Sequence, residues 1–125
     1  MENLIMKYTE DAQLWILMAV LSFDVITGFA KAIATEKFDS AISKKGLMIH
    51  ATIGLLVMGL SMAAVILRGT MWETGALYLY TVATTGFSIS YGASIIENLD
   101  EMGVPVPDAI TKYLANIKGK GGDKK

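Results

Sequence analysis

The stretch Leu47–Leu67, LMIHATIGLLVMGLSMAAVIL, contains 21 consecutive residues without a Lys, Arg, Asp or Glu. At about 1.5 Å of rise per residue, a helix of this stretch is roughly 31 Å long, which matches the hydrocarbon core of a bilayer. The one residue in it that can gain a positive charge is His50. Residues 47–67 therefore predict a transmembrane helix.

Two further apolar blocks flank this stretch. Residues 75–96 have Thr, Ser and Tyr as their polar residues, which a helix in lipid tolerates by hydrogen bonding to its own carbonyls. Residues 12–34 contain Asp24 and Lys31, and a carboxylate near mid-membrane costs about 2.5–3.5 kcal/mol. Apolar residues on both sides of Asp24 offset that cost. We expect an all-α membrane protein with spans at about 12–34, 47–67 and 75–97.

Composition agrees with a membrane protein and limits the alternatives. The chain is 53% hydrophobic and 18% charged, against about 25% charged for a soluble domain. A cleaved signal peptide is rejected, because residues 1–11 are net acidic and Asp24 would interrupt its apolar region. A soluble helical core is rejected because 125 residues leave too little other surface to cover two uncharged helices of more than 20 residues.

The distribution of basic residues predicts the orientation. With three spans, Lys7 and Arg68 lie on one side and the other nine Lys residues lie on the opposite side. The positive-inside rule then places the N-terminus outside and the C-terminus in the cytoplasm. If residues 12–34 did not cross the membrane, ten basic residues would lie on the cytoplasmic side and one on the outer side. The positive-inside rule is satisfied in both cases, so it does not decide between three spans and two. Trp15, Trp72 and Tyr78 would lie near the outer interface.

The segments outside the spans are polar or amphipathic. After the third span, Gly103, Pro105 and Pro107 end the helix, and apolar residues at helical spacing predict an amphipathic helix over about 107–118 that lies on the membrane surface. Residues 119–125 are expected to be a flexible basic tail. The lysines expected to meet lipid headgroups are Lys44, Lys45, Lys118, Lys120, Lys124 and Lys125.

The chemical inventory excludes most enzyme classes. The chain has no cysteine, which removes disulfides, thiolate metal sites and a cysteine nucleophile, and no catalytic or phosphate-binding motif is found. We expect no enzymatic activity, cofactor or metal. A net charge of -1 gives no basic field for nucleic acid. The sole histidine, His50, is expected to make a local hydrogen bond.

Polar residues inside the predicted spans are the candidate functional residues. On the first helix, Asp24, Thr27 and Lys31 share one face, with Gly28 beside them. Such polar faces either hydrogen-bond helices together or line an aqueous pore. Small residues in the second and third spans permit close helix packing. The third-span stripe is Thr81, Thr84, Ser88, Tyr91 and Asn98, and the candidate packing residues are Gly59, Ala63 and Gly92.

The order of these motifs resembles that of the phage holins in the toxin-secretion and phage-lysis holin family. The matching features are Asp24 followed by Thr27-Gly28, the basic patch at residues 43–46, and the segment at residues 94–107. The resemblance runs from about residue 14 to about residue 118. Where members of that family often carry an Asn-Glu pair in the third span, this chain has Thr84-Thr85-Gly86.

The resemblance implies a non-enzymatic lysis protein. Such a protein accumulates in the cytoplasmic membrane as a homo-oligomer and then forms lesions that release an endolysin, in some systems under the control of an antiholin. Asp24 and Lys31 would be costly facing lipid and tolerable facing water. Two other classes remain open: a holin-like export pore for a protein or ion, and a lysis inhibitor or membrane scaffold that packs with a true holin.

Overall fold

The computed structural model describes residues 11–122, without the side chains of residues 41–42 and 117–122. Its helices are α1 (Ala12–Ala34), α2 (Ser40–Ile66), α3 (Glu73–Glu101) and α4 (Asp108–Gly122). No strand occurs among these described residues. The prediction of an all-helical chain is therefore confirmed.

Helices α1, α2 and α3 pack together as a bundle, with the closest packing between α1 and α3. Hydrogen bonds from Asn98 to Asp24 and from Tyr80 to Asp11 show that α1 and α3 run parallel. Helix α2 runs in the opposite direction, as the short turns at either end require. The core of the bundle consists of Leu14, Leu17, Val57, Tyr80 and Tyr91.

Local chemistry sets the ends of α1. The Asp11 side chain accepts a hydrogen bond from the Leu14 backbone N–H at 3.2 Å, which satisfies one of the free donors of the first turn. At the other end the Thr35 hydroxyl donates to the Lys31 carbonyl at 2.8 Å. Glu36 then takes a left-handed backbone conformation, with φ at 56°, and the chain turns toward α2.

Helices α2, α3 and α4 extend beyond their predicted bounds, and α3 covers Glu73–Glu101 instead of residues 75–97. Helix α2 begins at Ser40, because the Asp39 carbonyl accepts the Ser43 N–H at 3.0 Å and starts the helix. Lys44 and Lys45 are consequently on a helix, where the sequence suggested a loop. Helix α4 continues to Gly122, four residues into the predicted tail.

Helix α3 ends where Gly103 follows it. Gly103 has φ of 83°, a left-handed conformation that side chains disfavour, and the Val104 N–H reaches back to the Leu99 carbonyl at 3.0 Å. Pro105 and Pro107 then prevent the helix from resuming. The Pro107 carbonyl accepts the backbone N–H groups of Ile110 and Thr111 in the first turn of α4.

Two described helices are long and apolar enough to cross a membrane. They are Ala12–Ala34 and Ser43–Ile66. Helix α3 has 29 residues, which is sufficient length, but its Thr, Ser and Tyr residues make it less apolar than these two helices. Helix α1 therefore remains a candidate membrane span despite Asp24. Membrane crossing by α3 stays a prediction.

The bundle buries polar side chains beside its apolar core and exposes many large apolar side chains. Asp24, Ser61, Thr84 and Asn98 are buried, whereas large apolar side chains face outward on all three bundle helices. Examples of the latter are Ile33, Leu55, Met48 and Leu79, each more than half exposed. An apolar exterior around polar interhelical contacts is expected where lipid surrounds the protein.

Candidate functional site

Three helices meet at a buried carboxylate. Asp24 of α1 is 7% exposed, and its Oδ2 lies 2.8 Å from Nε2 of His50 on α2. Asn98 of α3 donates from Nδ2 to Asp24 Oδ1 at 3.3 Å and lies 3.1 Å from Thr27 Oγ1. We call Asp24, Thr27, His50 and Asn98 the Asp24 cluster. One acidic side chain thus connects all three helices of the bundle.

Tyr91 and Gly28 lie beside the Asp24 cluster. The Tyr91 ring packs edge-on against the His50 ring, with 5.0 Å between centroids. His50 Nδ1 and Tyr91 Oη are buried and have no hydrogen-bond partner among the described residues. A Cβ built on Gly28 would lie 3.8 Å from Asn98 Nδ2. A Cβ at position 28 would therefore be in ordinary van der Waals contact with α3 at the level of the cluster.

The Asp24 cluster lies toward the end of the bundle where residues 35–39 join α1 to α2, which we call the basic end, although Asp24 is at the middle of α1. His50 is three residues into the uncharged stretch that begins at Leu47, and Asn98 is three residues before Glu101. Three residues of helix correspond to about 4.5 Å. Asp24 is therefore about 15 Å from the α1–α2 turn along α1, as is His50 along α2, whereas Asn98 lies close to the end of α3.

A second polar cluster occupies the other end of α1. The carboxylate of Asp11 accepts hydrogen bonds from the Tyr80 hydroxyl of α3 and from Ser61 Oγ of α2, the latter at 3.4 Å. Nearby, Thr84 Oγ1 donates to the Tyr80 carbonyl at 2.8 Å and lies 3.1 Å from Gln13 Oε1. The two acidic residues are 13 positions apart, or about 20 Å along a helix.

An apolar layer separates the two clusters. Leu17 and Val57 are fully buried between them, and Leu21, Ile53 and Phe87 pack against this core. Polar contacts at both ends with apolar packing between them set the register of the three helices, since sliding one helix would break both sets of hydrogen bonds.

A vestibule of about 670 Å³ lies between the helices at the basic end. Its walls come from α1, α2, α3 and the α1–α2 turn, and three members of the Asp24 cluster, Asp24, His50 and Asn98, line it. Lys31 and Glu101 lie at its wall and form an ion pair of 3.3 Å. The residues that line the vestibule extend from the Asp24 cluster to the α1–α2 turn, whereas the apolar layer lies on the other side of the cluster.

The structure brings some of the predicted polar residues together and leaves others apart. Asp24, Thr27, Gly28 and Asn98 meet in one place, and Tyr91 packs beside them. Thr84 joins the opposite cluster through Gln13, and Lys31 pairs with Glu101. Thr81 and Ser88 are partly buried on α3, where the Thr81 carbonyl lies 3.1 Å from Thr84 Oγ1.

The predicted packing residues do not contact a neighbouring helix closely within one chain. A Cβ built on Gly59 or Gly92 would meet no atom within 4 Å, and Ala63 is partly buried. Contacts of these residues with another copy stay a prediction. Lys44 and Lys45 are exposed, while Lys118, Lys120, Lys124 and Lys125 lie outside the residues whose side chains the structure describes.

His50 is the cluster residue that the sequence analysis did not select. A local hydrogen bond was expected for it, but its partner lies 26 positions away on α1. The sequence did contain a signal for this contact. Asp24 and His50 are an acidic and a basic side chain inside apolar helices, and such side chains pair with each other within a membrane. Asp11, Ser61 and Tyr80 were also not selected. Asp11 precedes the predicted first span, which begins at residue 12, and it is the acceptor for the other two.

Comparison with known proteins gives a family match over nearly the whole chain. The model of the bacteriophage holin family matches residues 6–119. An uncharacterised protein of Clostridium perfringens strain 13 is 26% identical over 108 residues, covering 86% of this chain and 76% of that protein. An uncharacterised 14.9 kDa protein of the nagH 3′ region of Clostridium perfringens is 26% identical over 110 residues, covering 88% and 80%. No solved structure matches.

Proposed function

Because the chain belongs to the bacteriophage holin family, we propose that it oligomerises in the bacterial cytoplasmic membrane and forms lesions that release an endolysin. The observation that carries this proposal is the family match together with a polar bundle interior. Holins are non-enzymatic membrane proteins, and among the described residues no group of three or more metal-ligating His, Cys, Asp or Glu side chains occurs.

The polar interior supplies a physical basis for two states. In the packed bundle, Asn98 donates a hydrogen bond to Asp24 and Thr84 donates one to Gln13 across helices, and the apolar exterior faces lipid. If the helices separate, the same polar side chains lose these partners, and water then becomes their favourable environment. Separated helices from several copies would place their polar faces around an aqueous lesion.

The proposed topology has three crossings, with the N-terminus outside and the C-terminus in the cytoplasm. The basic end of the bundle, with Lys37, Lys44 and Lys45, is then cytoplasmic. Trp15 and Trp72, both more than half exposed, lie toward the opposite end, as an aromatic belt at the outer interface requires. In this arrangement α4 lies on the cytoplasmic surface, with its lysines near anionic headgroups.

The function is tested by inducible expression in a bacterium, with and without a cytoplasmic endolysin that has no signal peptide. We expect abrupt loss of membrane potential after a delay, and lysis only when the endolysin is present. Continued growth with an intact potential, despite confirmed membrane insertion, would contradict an autonomous holin and favour an inhibitor that acts on a partner holin. Selective conductance without lysis would favour an export pore.

The topology is tested by cysteine labelling, because the natural chain has no cysteine. Single variants Arg68→Cys and Lys124→Cys are treated with a membrane-impermeant thiol reagent in whole cells. We expect labelling at position 68 and protection at position 124. Labelling of both positions, or of position 124 alone, would contradict the proposed orientation.

A further inference from the structure

Helix α1 is held in the bundle by polar contacts with both other helices. The interhelical hydrogen bonds of the two polar clusters each have α1 or its N-cap residue Asp11 as one partner. Helices α2 and α3 also contact each other, through the edge-on packing of the Tyr91 ring on His50. The surface of α2 and α3 that receives α1, which we call the α1 groove, presents His50, Ser61, Tyr80, Thr84 and Asn98.

Neither α1 nor the α1 groove has a substitute for the other in lipid. Ser61, Thr84 and Asn98 of the groove are buried, and so is Asp24 of α1. Without their interhelical partners these polar groups would face hydrocarbon, which is costly. A second copy of the chain presents the same side chains in the same order. The groove of another copy is therefore chemically equivalent to the groove that α1 occupies in its own chain.

The connection between α1 and α2 is strained in the packed bundle. Glu36 has φ of 56°, a left-handed conformation that side chains disfavour. Its backbone N–H donates to the Ile33 carbonyl at 3.2 Å, and the Lys37 N–H donates to the Ala32 carbonyl at 3.1 Å. Glycine is the usual residue at the left-handed position of such a helix end. Opening this turn therefore releases strain that Glu36 imposes on it.

Residues 35–39 are long enough to reach a neighbouring bundle. Five extended residues span about 17 Å, whereas packed helices lie about 8–10 Å apart. When this segment extends, α1 can enter the groove of an adjacent copy and still run antiparallel to its own α2. The exchange does not require any helix to reverse its direction.

From these contacts we propose that copies of this chain assemble by exchange of α1, so that α1 of one copy occupies the α1 groove of the next and the Asp24 cluster forms between copies. The exchanged and unexchanged forms have the same interhelical hydrogen bonds, but only the unexchanged form keeps the strained turn at Glu36. Reciprocal exchange closes a dimer, and exchange in one direction continues from copy to copy. Because exchange needs a second copy, the exchanged fraction rises with the density of the chain in the membrane.

Cysteine cross-linking of the full chain detects the exchange, since the natural chain has no cysteine. Two copies with different tags, one carrying Gln13→Cys and the other Thr84→Cys, are expressed together in a bacterial membrane and oxidised with copper phenanthroline. Thr84 Oγ1 lies 3.1 Å from Gln13 Oε1, and Thr84 is 1% exposed beneath α1. We expect a disulfide between the two tags. Its absence, while a single chain carrying both cysteines forms the internal disulfide, would overturn the proposal.

Thr85 supplies the matched control, because it follows Thr84 on α3 but is exposed. An ordinary contact between the outer surfaces of two copies would link Gln13→Cys to Thr85→Cys at least as well as to Thr84→Cys. Exchange instead brings α1 of one copy onto the buried position 84 of the other, so we expect the Thr84 product to predominate. An equal or larger Thr85 product would overturn the proposal.

A second pair of positions tests the opposite end of α1 and serves if a substitution at position 84 prevents folding. Lys31 and Glu101 form an ion pair of 3.3 Å, so Lys31→Cys on one tag and Glu101→Cys on the other are treated with a short bismaleimide. Exchange moves the whole helix, and we expect this pair to link the two tags as well. Failure of that link, in membranes where a single chain carrying both cysteines is cross-linked, would overturn the proposal.

Variants at position 36 test whether the strained turn favours exchange. Glu36→Gly relieves the strain of the unexchanged turn and should lower the fraction linked between tags by about threefold to fivefold. Proline cannot adopt a positive φ and has no backbone N–H to donate to Ile33, so Glu36→Pro should raise that fraction. Glu36→Ala removes the charge but keeps the Cβ and is expected to behave as the wild type. Equal fractions in the Gly and Pro variants would overturn the proposal.

The inference deepens the proposed function and rests on it for its biological consequence, since it names the contact that joins copies before a lesion opens. Membrane potential, measured in the same cells as the cross-linking, distinguishes the two. Cross-linking between tags without loss of potential would contradict the proposed lesion and leave the exchange intact. Loss of potential without cross-linking between tags would contradict the exchange and leave the lesion intact.

Discussion

His50 Nε2 lies 2.8 Å from Asp24 Oδ2, although the two residues are 26 positions apart. The contact joins α1 to α2 at the level where Asn98 joins α1 to α3. A charged residue that is unfavourable in an isolated membrane helix therefore becomes the point at which three helices are held together. Its removal should affect the bundle and the proposed lesion together.

Replacing Asp24 with Leu should change the time of lysis or abolish it. The substitution leaves His50 and Asn98 without their shared acceptor, and truncating one member of a buried pair costs about 3–5 kcal/mol in soluble proteins. Lysis onset after induction, with endolysin present, is the measurement. Asp24→Asn, which keeps an acceptor, should change the onset less. Lysis on the wild-type schedule in the Leu variant would remove Asp24 from the mechanism.

Thr27 should couple energetically to Asn98. A double-mutant cycle of Thr27→Val and Asn98→Leu is expected to give a coupling free energy of about 0.6–1.7 kcal/mol, the range for interhelical hydrogen bonds in membranes. Unfolding in mixed micelles supplies the four free energies. Thr52→Val is the matched control, because the Thr52 hydroxyl donates to its own helix at Met48. A coupling equal to that of the control pair Thr52 and Asn98 would contradict the contact.

Two glycines should respond differently to the same substitution. In Gly28→Val the Cβ would be in ordinary contact with Asn98 Nδ2 at 3.8 Å, and the methyl groups beyond it should crowd α3 and destabilise the packed bundle. Gly59→Val meets no neighbour within the chain and should leave monomer stability nearly unchanged. If Gly59 lies between copies, its variant should instead reduce chemical cross-linking to oligomers. Equal loss of monomer stability in both variants would contradict the described packing.

The Lys31–Glu101 ion pair should contribute little to stability. Its side chains are 31% and 59% exposed, and such pairs are worth about 0–1 kcal/mol. Lys31→Met should therefore change the free energy of unfolding by less than about 1 kcal/mol, and less at high salt. A loss comparable to that of Asp24→Leu would show that Lys31 has a further partner in the membrane.

Helix α4 should bind the membrane through its apolar face. Ile110 and Tyr113 are exposed, and α4 makes no extensive packing with α1, α2 or α3 in the described structure. An environment-sensitive dye on Tyr113→Cys should show a blue-shifted emission in vesicles containing phosphatidylglycerol. Ile110→Asp should reverse the shift. Ala115→Asp adds the same charge on the opposite face and should keep it; loss of the shift in both variants would contradict a specific apolar face.

Much of the fold was predictable from residue patterns. The uncharged stretch at 47–67 predicts a membrane helix by length alone, and the Gly103, Pro105 and Pro107 sequence predicts the end of α3. Helix starts were less predictable, because a helix continues beyond the membrane wherever the backbone finds a first hydrogen bond, as Ser43 does with Asp39. The holin-family resemblance is confirmed by the family match over residues 6–119.

The sequence by itself determined which residues form helices and which polar side chains share a face, because both follow from composition and the helical period. Only the tertiary structure decided which helix faces pack against each other and which residues lie at the same level along the bundle. Asp24 meets His50 because α1 and α2 form an antiparallel hairpin in which both residues lie ten positions from the turn, and Asn98 and Tyr80 reach Asp24 and Asp11 because α3 packs parallel to α1. Rotation and translation between helices depend on contacts made across many residues, which a local pattern does not contain.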